Sequence, residues 1–340
     1  MHSAMPGRRP GGRDPVGLLL VIGSALCYSA LGILAKLAYA EGLTLRSMLA
    51  IRFTLGAILL WGWVLMHPEL RRAVSCLPRA RLTRLLLWGI FGFGVQSALF
   101  FSSLKLIPAS LSQVLLYTCP AFVAIILWLT AGVRPGTTRL LAIGLALAGT
   151  ALCAGPIQGA PEARGVALAV FTGLWYAMFT LRLDRLTPGI PAVLSGACII
   201  SGAALLFSLA VVPGGSFALP STPAGWGAVI GMVLSATVFG FVLYVTGLKR
   251  VGAQSASILS TFEPLGALLL AGILLGERLS SGQWVGAGMI IGAAFVLAGM
   301  TRSEGSPLTA LHADARNGRP DDRDPAPAAG AVDATAAASD

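Results

Sequence analysis

Charged residues are scarce in this chain of 340 residues, because Asp, Glu, Lys and Arg together make up 11% of it. Lysine occurs only as Lys36, Lys105 and Lys249, and none of the three follows a glycine. The phosphate-binding loop of ATP-hydrolysing proteins needs a Gly-Lys pair, so the chain has no such loop. If the chain moves a solute, a gradient must drive it.

Histidine and cysteine are also poorly placed for chemistry. The histidines, His2, His67 and His312, lie in the tails or in a loop, which removes a His-based metal site or catalytic triad from the apolar segments. The cysteines form no C-x-x-C pair, so the sequence indicates neither a metal site nor a disulfide framework. We therefore expect no cofactor, no metal and no enzymatic activity.

Apolar residues dominate instead, since 56% of the chain is hydrophobic and the mean hydropathy is +0.80. Apolar segments of about 20 residues recur along almost the whole length, and each can cross a hydrocarbon core of about 30 Å as a helix. This pattern predicts an all-α integral membrane protein embedded in the lipid bilayer. Its ten expected transmembrane helices cover 16–38, 45–66, 85–103, 109–130, 138–156, 164–182, 190–212, 225–247, 254–275 and 281–300.

The basic residues lie in the links between these segments and predict an orientation. Most of them fall on the side that also holds the termini. The opposite side receives only Arg46, Lys105, Arg164 and Arg278. The positive-inside rule then places both termini in the cytoplasm, with a basic tail at 1–14 and a disordered tail at 302–340. Topology thus accounts for the net charge of +10, and no nucleic-acid partner is expected.

The chain contains two copies of one unit. When the numbering is shifted by 144, residues 107–155 lie over residues 251–299 without a gap. The five-helix repeats are predicted at 15–156 and 157–301. Because each repeat has an odd number of spans, the second must enter the membrane from the opposite side, as in many secondary transporters with inverted repeats.

One carboxylate, Glu263, stands inside an apolar run and is followed directly by Pro264. A charge at that depth costs about 2.5–3.5 kcal/mol on insertion scales, so it is usually functional or partnered. Pro264 has no amide hydrogen for the carbonyl four residues earlier, and Pro120 holds the equivalent place in the first repeat. Both prolines are predicted hinges.

Arg52 is the most deeply placed cation, and its long side chain can approach the depth of Glu263. A structural ion pair between them and a substrate-binding or coupling pair are both open interpretations. Other polar or aromatic side chains near the predicted midplane are expected to line a central cavity at the repeat interface, although interhelical packing is an equal alternative for Trp175. They are Tyr28, Gln96, Tyr117, Trp175, Tyr176, Ser235, Thr237 and Ser260.

This pattern resembles the drug/metabolite transporter superfamily, specifically its EamA-like ten-helix members, over about residues 16–300. Besides the two repeats, the resemblance rests on Arg52-Phe53, Leu104-Lys105, Leu248-Lys249, and Glu263-Pro264 followed by Leu275-Gly276-Glu277. It implies transport of amino acids, other small metabolites, drugs or nucleotide sugars by alternating access without ATP. The first repeat departs from the family pattern, because Cys119 replaces an acid before Pro120 and Val133 stands in place of a terminal glutamate.

The expected function is therefore secondary transport, as an exporter of a small metabolite such as an amino acid, with protons as the candidate coupling ion. A membrane-embedded enzyme and a structural helical protein are the alternatives. The large excess of arginine over lysine favours a GC-rich bacterial genome, and hence the inner membrane. A monomer and a homodimer are both open.

Overall fold

The structure is a computed structural model that describes residues 14–155, 161–211, 217–275 and 280–300. Within these ranges every regular element is helical, which confirms the predicted all-α class. Nine helices in the described chain are long and apolar enough to cross a membrane, against the ten expected. The predicted tails up to residue 13 and from residue 301 lie outside the described residues, as do Gly276, Glu277 and Arg278.

The helices are numbered here in chain order. α3 is a short amphipathic helix, α10 has 14 residues, and the others contain the candidate spans. Their bounds are α1 (Pro15–Ala40), α2 (Leu45–Met66), α3 (Pro68–Cys76), α4 (Arg79–Ser103), α5 (Leu111–Ala131), α6 (Thr137–Ala154), α7 (Ala163–Leu186), α8 (Ala192–Val211), α9 (Pro223–Leu259), α10 (Phe262–Leu275) and α11 (Ser281–Met300).

Local sequence signals explain where α1 and α9 begin. The Asp14 carboxylate accepts a hydrogen bond from the amide of Gly17 at 3.0 Å, and the Thr222 hydroxyl accepts one from the amide of Gly225 at 3.1 Å. Each capping residue is followed by a proline, which loses no hydrogen bond in the first turn of a helix. Both helices therefore start within two residues of the predicted positions.

The link between the second and third predicted spans is more ordered than the sequence indicated. Its basic stretch forms α3, which starts at Pro68, and α4 begins at Arg79 instead of near residue 85. Pro68 favours a helix start for the same reason as above. The additional turns are at the start of α4 and carry its arginines. The apolar part of α4 therefore still coincides with the predicted span.

The predicted eighth span continues in α9, which is 37 residues long, into the first residues of the predicted ninth span, and the rest of the ninth span forms α10. Gly252 lies inside it with φ 78° and ψ 166°, a conformation that side chains strongly disfavour, so α9 consists of two helices meeting at this glycine. The Asp184 carboxylate accepts a hydrogen bond from the amide of Ala253 at 3.3 Å and so caps the second part. The Lys249 ammonium holds the same junction by donating to the carbonyl of Ile190.

Irregular backbone recurs at equivalent places in the two halves. α4 contains a π-helical segment at Gly89–Gly94 and α9 contains one at Val233–Gly240, and the shift of 144 places their first residues on each other. α5 is interrupted at Tyr117–Thr118, and α9 is separated from α10 at Ser260–Thr261, within one residue of the same shift. Single π-helical turns and broken helices of this kind often mark functional sites.

Helices of the first half pack mainly against helices of the second half. Pairs with extensive contacts include α6 with α11, α2 with α8, α1 with α9, and α4 with α8. The space between the two halves is therefore bordered by helices from both of them.

Large apolar side chains cover the outside of this bundle. Leu129 is 73% exposed, Ile273 78% and Phe295 74%. So much exposed hydrocarbon suits a lipid environment and would be costly in water. Together with the nine apolar helices of the described chain, it shows a multi-pass membrane protein.

Candidate functional site

A cavity of about 700 Å³, counted with the open space at its mouth, lies between the two halves. Small-molecule sites are lined mainly by apolar and aromatic side chains with a few placed polar groups, and this cavity has that kind of lining. Arg52 and Glu263 are its charged lining residues, and Gln96 and several hydroxyl groups add polar atoms. Half of the lining residues are aromatic, namely Tyr28, Phe93, Phe100, Phe101, Tyr117, Tyr176, Phe179, Phe241 and Tyr244.

Glu263 enters the cavity from the first turn of α10, immediately after the break at Ser260–Thr261. The Tyr117 hydroxyl donates a hydrogen bond to its Oε2 at 2.6 Å. Tyr117 itself lies at the break in α5, so this hydrogen bond joins the two interrupted helices of the two halves. A hydrogen bond to a charged group contributes about 1.5–3 kcal/mol when it is sheltered from water.

Arg52 enters from the middle of α2 and is only 2% exposed. Its Nε donates a hydrogen bond to the hydroxyl of Thr237 at 2.8 Å, and Thr237 lies in the π-helical segment of α9. The guanidinium carbon is 5.0 Å from the centre of the Phe53 ring, a distance at which a cation is attracted to the aromatic face. The side chain is thus held at its Nε, and its terminal nitrogens make no hydrogen bond to a described residue.

Arg52 and Glu263 both lie in the part of the chain that the structure describes, and they do not form a direct ion pair. Each of them bonds to an uncharged partner from the other half of the chain, Thr237 and Tyr117 respectively. An ion pair does occur at the protein surface, between Arg250 and Asp14 at 3.1 Å. The cavity therefore holds two opposite charges that are separately anchored.

The aromatic lining forms a continuous wall. The ring centre of Phe93 lies 5.4 Å from that of Phe179 and 5.1 Å from that of Phe241. Tyr176 continues the wall with ring centres 6.4 Å from both Phe179 and Tyr244. Pairs at these separations are favourable, so the wall is a fixed apolar surface.

Seven of the eight predicted binding or coupling residues line the cavity. They are Tyr28, Arg52, Gln96, Tyr117, Tyr176, Ser260 and Glu263. Trp175 is not among the lining residues, because its indole nitrogen donates to the carbonyls of Phe91 at 3.0 Å and Gly92 at 3.1 Å. Those carbonyls belong to the π-helical segment of α4, so Trp175 supports the backbone behind the wall.

The predicted hinges lie directly after the two helix breaks. Pro120 is in the first turn after the break in α5, and its carbonyl accepts a hydrogen bond from the Gln254 side chain at 3.2 Å. Pro264 follows Glu263 in the first turn of α10. The carbonyl of Ser260, which Pro264 cannot bond, accepts instead from the amide of Glu263 at 3.0 Å.

Several lining residues were missed by the sequence reasoning. Phe93, Phe179 and Phe241 stand in apolar runs, where no local feature separates a cavity wall from an ordinary core. Tyr244 could have been found, since it is a tyrosine in the middle of an apolar run. Thr237 was recognised as a polar residue at the right depth, but its bond to Arg52 depends on the packing of α2 against α9.

An all-helical membrane bundle whose interrupted helices surround a partly polar cavity between two halves has the architecture of membrane transporters. The family comparison agrees with this class. The model of the EamA-like transporter family matches residues 15–155 and again residues 163–299, and the chain belongs to this family. The two matches also divide the chain as the two halves of the cavity do.

Individual relatives are distant but cover most of the chain. It is 25% identical over 291 residues to the uncharacterized inner membrane transporter YicL of Salmonella typhimurium, which covers 83% of this chain and 94% of that protein. It is 26% identical over 237 residues to human solute carrier family 35 member E4, covering 66% and 65% of the two chains. A solved crystal structure aligns with a TM-score of 0.72 at 20% identity, covering 84% of this chain and 97% of the other, which shows the fold alone.

Proposed function

We propose that the protein is a secondary transporter of the bacterial inner membrane that exports a small metabolite, such as an amino acid, by alternating access without ATP hydrolysis. The observation that carries the proposal is the cavity between the two halves. Its two charged residues, Arg52 and Glu263, lie on different halves and are held by residues at irregular backbone. The relatives are named as transporters, one of them as an inner membrane transporter, and this supports the same function.

Alternating access requires the cavity to open to each side of the membrane in turn. The helix breaks at Tyr117–Thr118 and Ser260–Thr261 border the cavity, and each is followed by a proline. In this proposal the two breaks are hinges, and the Tyr117–Glu263 hydrogen bond couples their movements. Glu263 is also the proposed carrier of a coupling proton.

Reconstitution tests this function directly. The purified protein is screened by thermal shift against amino acids, other metabolites and cationic drugs, and the ligands found are then offered to proteoliposomes with and without a proton gradient. We expect gradient-driven uptake of at least one of them above that of protein-free liposomes. If no solute of the panel moves, the protein is better regarded as a structural membrane protein or an enzyme.

The proposed topology has ten spans in two inverted repeats with both termini in the cytoplasm. The division of α9 at Gly252, followed by the separate helix α10, supports ten spans, and five spans in each repeat require the second repeat to be inverted. This arrangement puts α3 in the cytoplasm and the link before α9 outside.

Cysteine labelling checks this topology, because Cys76 of α3 is exposed. In a variant without the other four cysteines, we expect a membrane-impermeant maleimide to label Cys76 in inverted vesicles but not in intact spheroplasts. A cysteine at exposed Ser221 should show the opposite pattern. Labelling of both positions from the same side would contradict the span count.

Replacing the second hinge proline should slow transport. Pro264→Ala supplies an amide hydrogen that can bond the carbonyl of Ser260, so the helix can continue through the break. We expect flux in proteoliposomes to fall several-fold while the amount of folded protein is maintained. Pro223→Ala is the matched control, since Pro223 also occupies a first turn but does not follow a cavity-lining break. Equal flux in both variants would reduce Pro264 to a static kink.

A further inference from the structure

Arg52 has hydrogen-bonding capacity that the protein does not use. Its Nε is bonded to Thr237, but its two terminal nitrogens have no hydrogen bond to any described residue. Among the described residues, the Tyr39 hydroxyl is the buried side-chain polar atom that lacks a partner. The terminal nitrogens of Arg52 have no partner in the described chain and are not buried atoms of this kind, so they are accessible from the cavity that this residue lines.

Glu263 has the same arrangement with the opposite charge. Its Oε2 accepts the hydrogen bond of Tyr117, while its Oε1 has no described hydrogen-bond partner and is not sealed off either. The side chain lines the same cavity as Arg52. One polar atom of each charged group is thus anchored, and the remaining polar atoms belong to side chains that line the cavity and are not buried without a partner.

We propose that the cavity binds a zwitterion, with the carboxylate of the solute on the terminal N–H groups of Arg52 and its ammonium group on Oε1 of Glu263. A guanidinium presents parallel N–H groups that match the two oxygens of a carboxylate. This inference rests on the proposed transport function and names the class of solute and the role of each charged residue.

The charge balance of the site favours a zwitterion over a simple ion. Arg52 and Glu263 together are neutral, and a zwitterion keeps the occupied cavity neutral while pairing both groups. An anion would satisfy Arg52 and face the charge of Glu263, and a cation would do the reverse. Unpaired charge is expensive in a site shielded from water, so both simple ions are disfavoured.

The aromatic wall indicates the rest of the solute. The Phe93, Phe179 and Phe241 rings form an apolar surface beside the two charges, and it offers no hydrogen bonds to a polar side chain. A large apolar or aromatic group buries well against such a surface. The expected solute is an amino acid of this kind.

Thr237 is the positioning residue in this scheme. Its hydroxyl holds the Nε edge of Arg52, which leaves the terminal edge directed at the solute. Without the hydroxyl the charge remains but its direction is lost. The effect on binding should therefore depend on whether the ligand has a carboxylate.

Three probes that differ by one charged group test the proposal. They are L-phenylalanine, 2-phenylethylamine, which lacks the carboxylate, and 3-phenylpropanoate, which lacks the ammonium group. We expect the purified wild-type protein to bind L-phenylalanine at least about tenfold more tightly than either analogue, since each analogue leaves one charged residue unpaired. Isothermal titration calorimetry gives the three Kd values.

Variants of the anion side assign the preference to Arg52. In Arg52→Gln, L-phenylalanine and 2-phenylethylamine should bind equally, whereas Arg46→Gln, at an exposed position of the same helix, should keep the wild-type ratio. Thr237→Val should weaken L-phenylalanine several-fold without weakening 2-phenylethylamine, and Thr237→Ser should restore it. The Thr237 variants keep the Arg52 charge, so they remain informative if Arg52→Gln does not fold.

The inference is overturned if 2-phenylethylamine binds the wild-type protein as tightly as L-phenylalanine, if L-phenylalanine does not bind, or if the Thr237 variants weaken both probes equally. The flux assay separates this failure from that of the proposed function. Gradient-driven transport of a solute without a carboxylate would support the proposed transport function and contradict the zwitterion site. Absence of flux for the whole panel would contradict the transport function itself.

Discussion

Glu263→Gln is expected to abolish gradient-driven flux while the protein still inserts and folds. Glutamine keeps the shape of the side chain and an oxygen that can accept the Tyr117 hydrogen bond, but it can neither carry a proton nor pair with an ammonium group. The loss of a charged partner alone corresponds to about 1.5–3 kcal/mol, or roughly 10- to 100-fold in solute affinity. Initial rates in proteoliposomes at several pH values measure the effect.

Two comparisons make this result interpretable. Glu69→Gln removes an exposed carboxylate from the surface helix α3 and should transport like the wild type. Uncoupled exchange of labelled solute across liposomes without a gradient separates lost coupling from lost binding. Wild-type flux by Glu263→Gln across the pH range would eliminate the coupling role of this residue.

The structural interpretation of Glu263, as the partner of a buried Arg52, predicts a different outcome. In that case Glu263→Gln should lower the Tm, and Arg52→Gln added to it should restore much of the loss. Because the structure places the two side chains on separate partners, we expect little such coupling in stability. A double-mutant cycle of thermal unfolding in detergent measures it.

The two charged residues of the site could be predicted because they are rare. A carboxylate or guanidinium inside an apolar run is costly, so its presence alone indicates a role. A tyrosine or Gln96 inside an apolar run is less costly than a charge, so its presence indicates a role less strongly. Trp175 shows the limit, since an indole in mid-span can face a cavity or satisfy a freed carbonyl, and only the packing of α7 against α4 decides between them.

The helices themselves could be located from their apolar runs, and the two helix breaks lie beside the predicted hinge prolines, but the π-helical segments and the glycine junction inside α9 could not be predicted. Gly89 and Gly252 look alike in the sequence, yet one lies in a π-helical segment and the other interrupts a helix with a positive φ. The π-helical segments depend on side chains from other helices that accept or donate at the freed groups. One example is Ser24 of α1, whose hydroxyl donates to the carbonyl of Gly240 at 2.7 Å.

The departure of the first repeat from the family pattern has a structural counterpart. Cys119 is equivalent to Glu263 under the shift of 144, and it is fully buried outside the cavity lining. Among the described lining residues the carboxylate is thus present once, on the second half, and Tyr117 of the first half donates a hydrogen bond to it. Unequal halves with one carboxylate suit a transporter in which a single group takes up and releases the coupling ion.

The second large effect is expected from the contact between α4 and α8, where the two backbones touch. An alanine Cβ at position 89 would lie 2.1 Å from the carbonyl oxygen of Ile199, and one at position 202 would lie 2.2 Å from the carbonyl oxygen of Leu86. Both distances are far below van der Waals contact, and the obstacle is backbone, which no rotamer change can move aside. The two helices must therefore separate.

Gly89→Ala and Gly202→Ala should each destabilise the protein by an amount near the top of the roughly 1–3 kcal/mol range for overpacking, and should lower the Tm accordingly. Flux should fall as well, because separation displaces the π-helical segment that carries Phe93 into the cavity. Gly144→Ala is the matched control: its Cβ meets no atom within 4 Å, so the gain in helix propensity of about 0.5–1 kcal/mol should leave the Tm unchanged or higher. A wild-type Tm for Gly89→Ala in detergent would show that α4 and α8 can part without cost, and it would remove the rigid wall on which the zwitterion site depends.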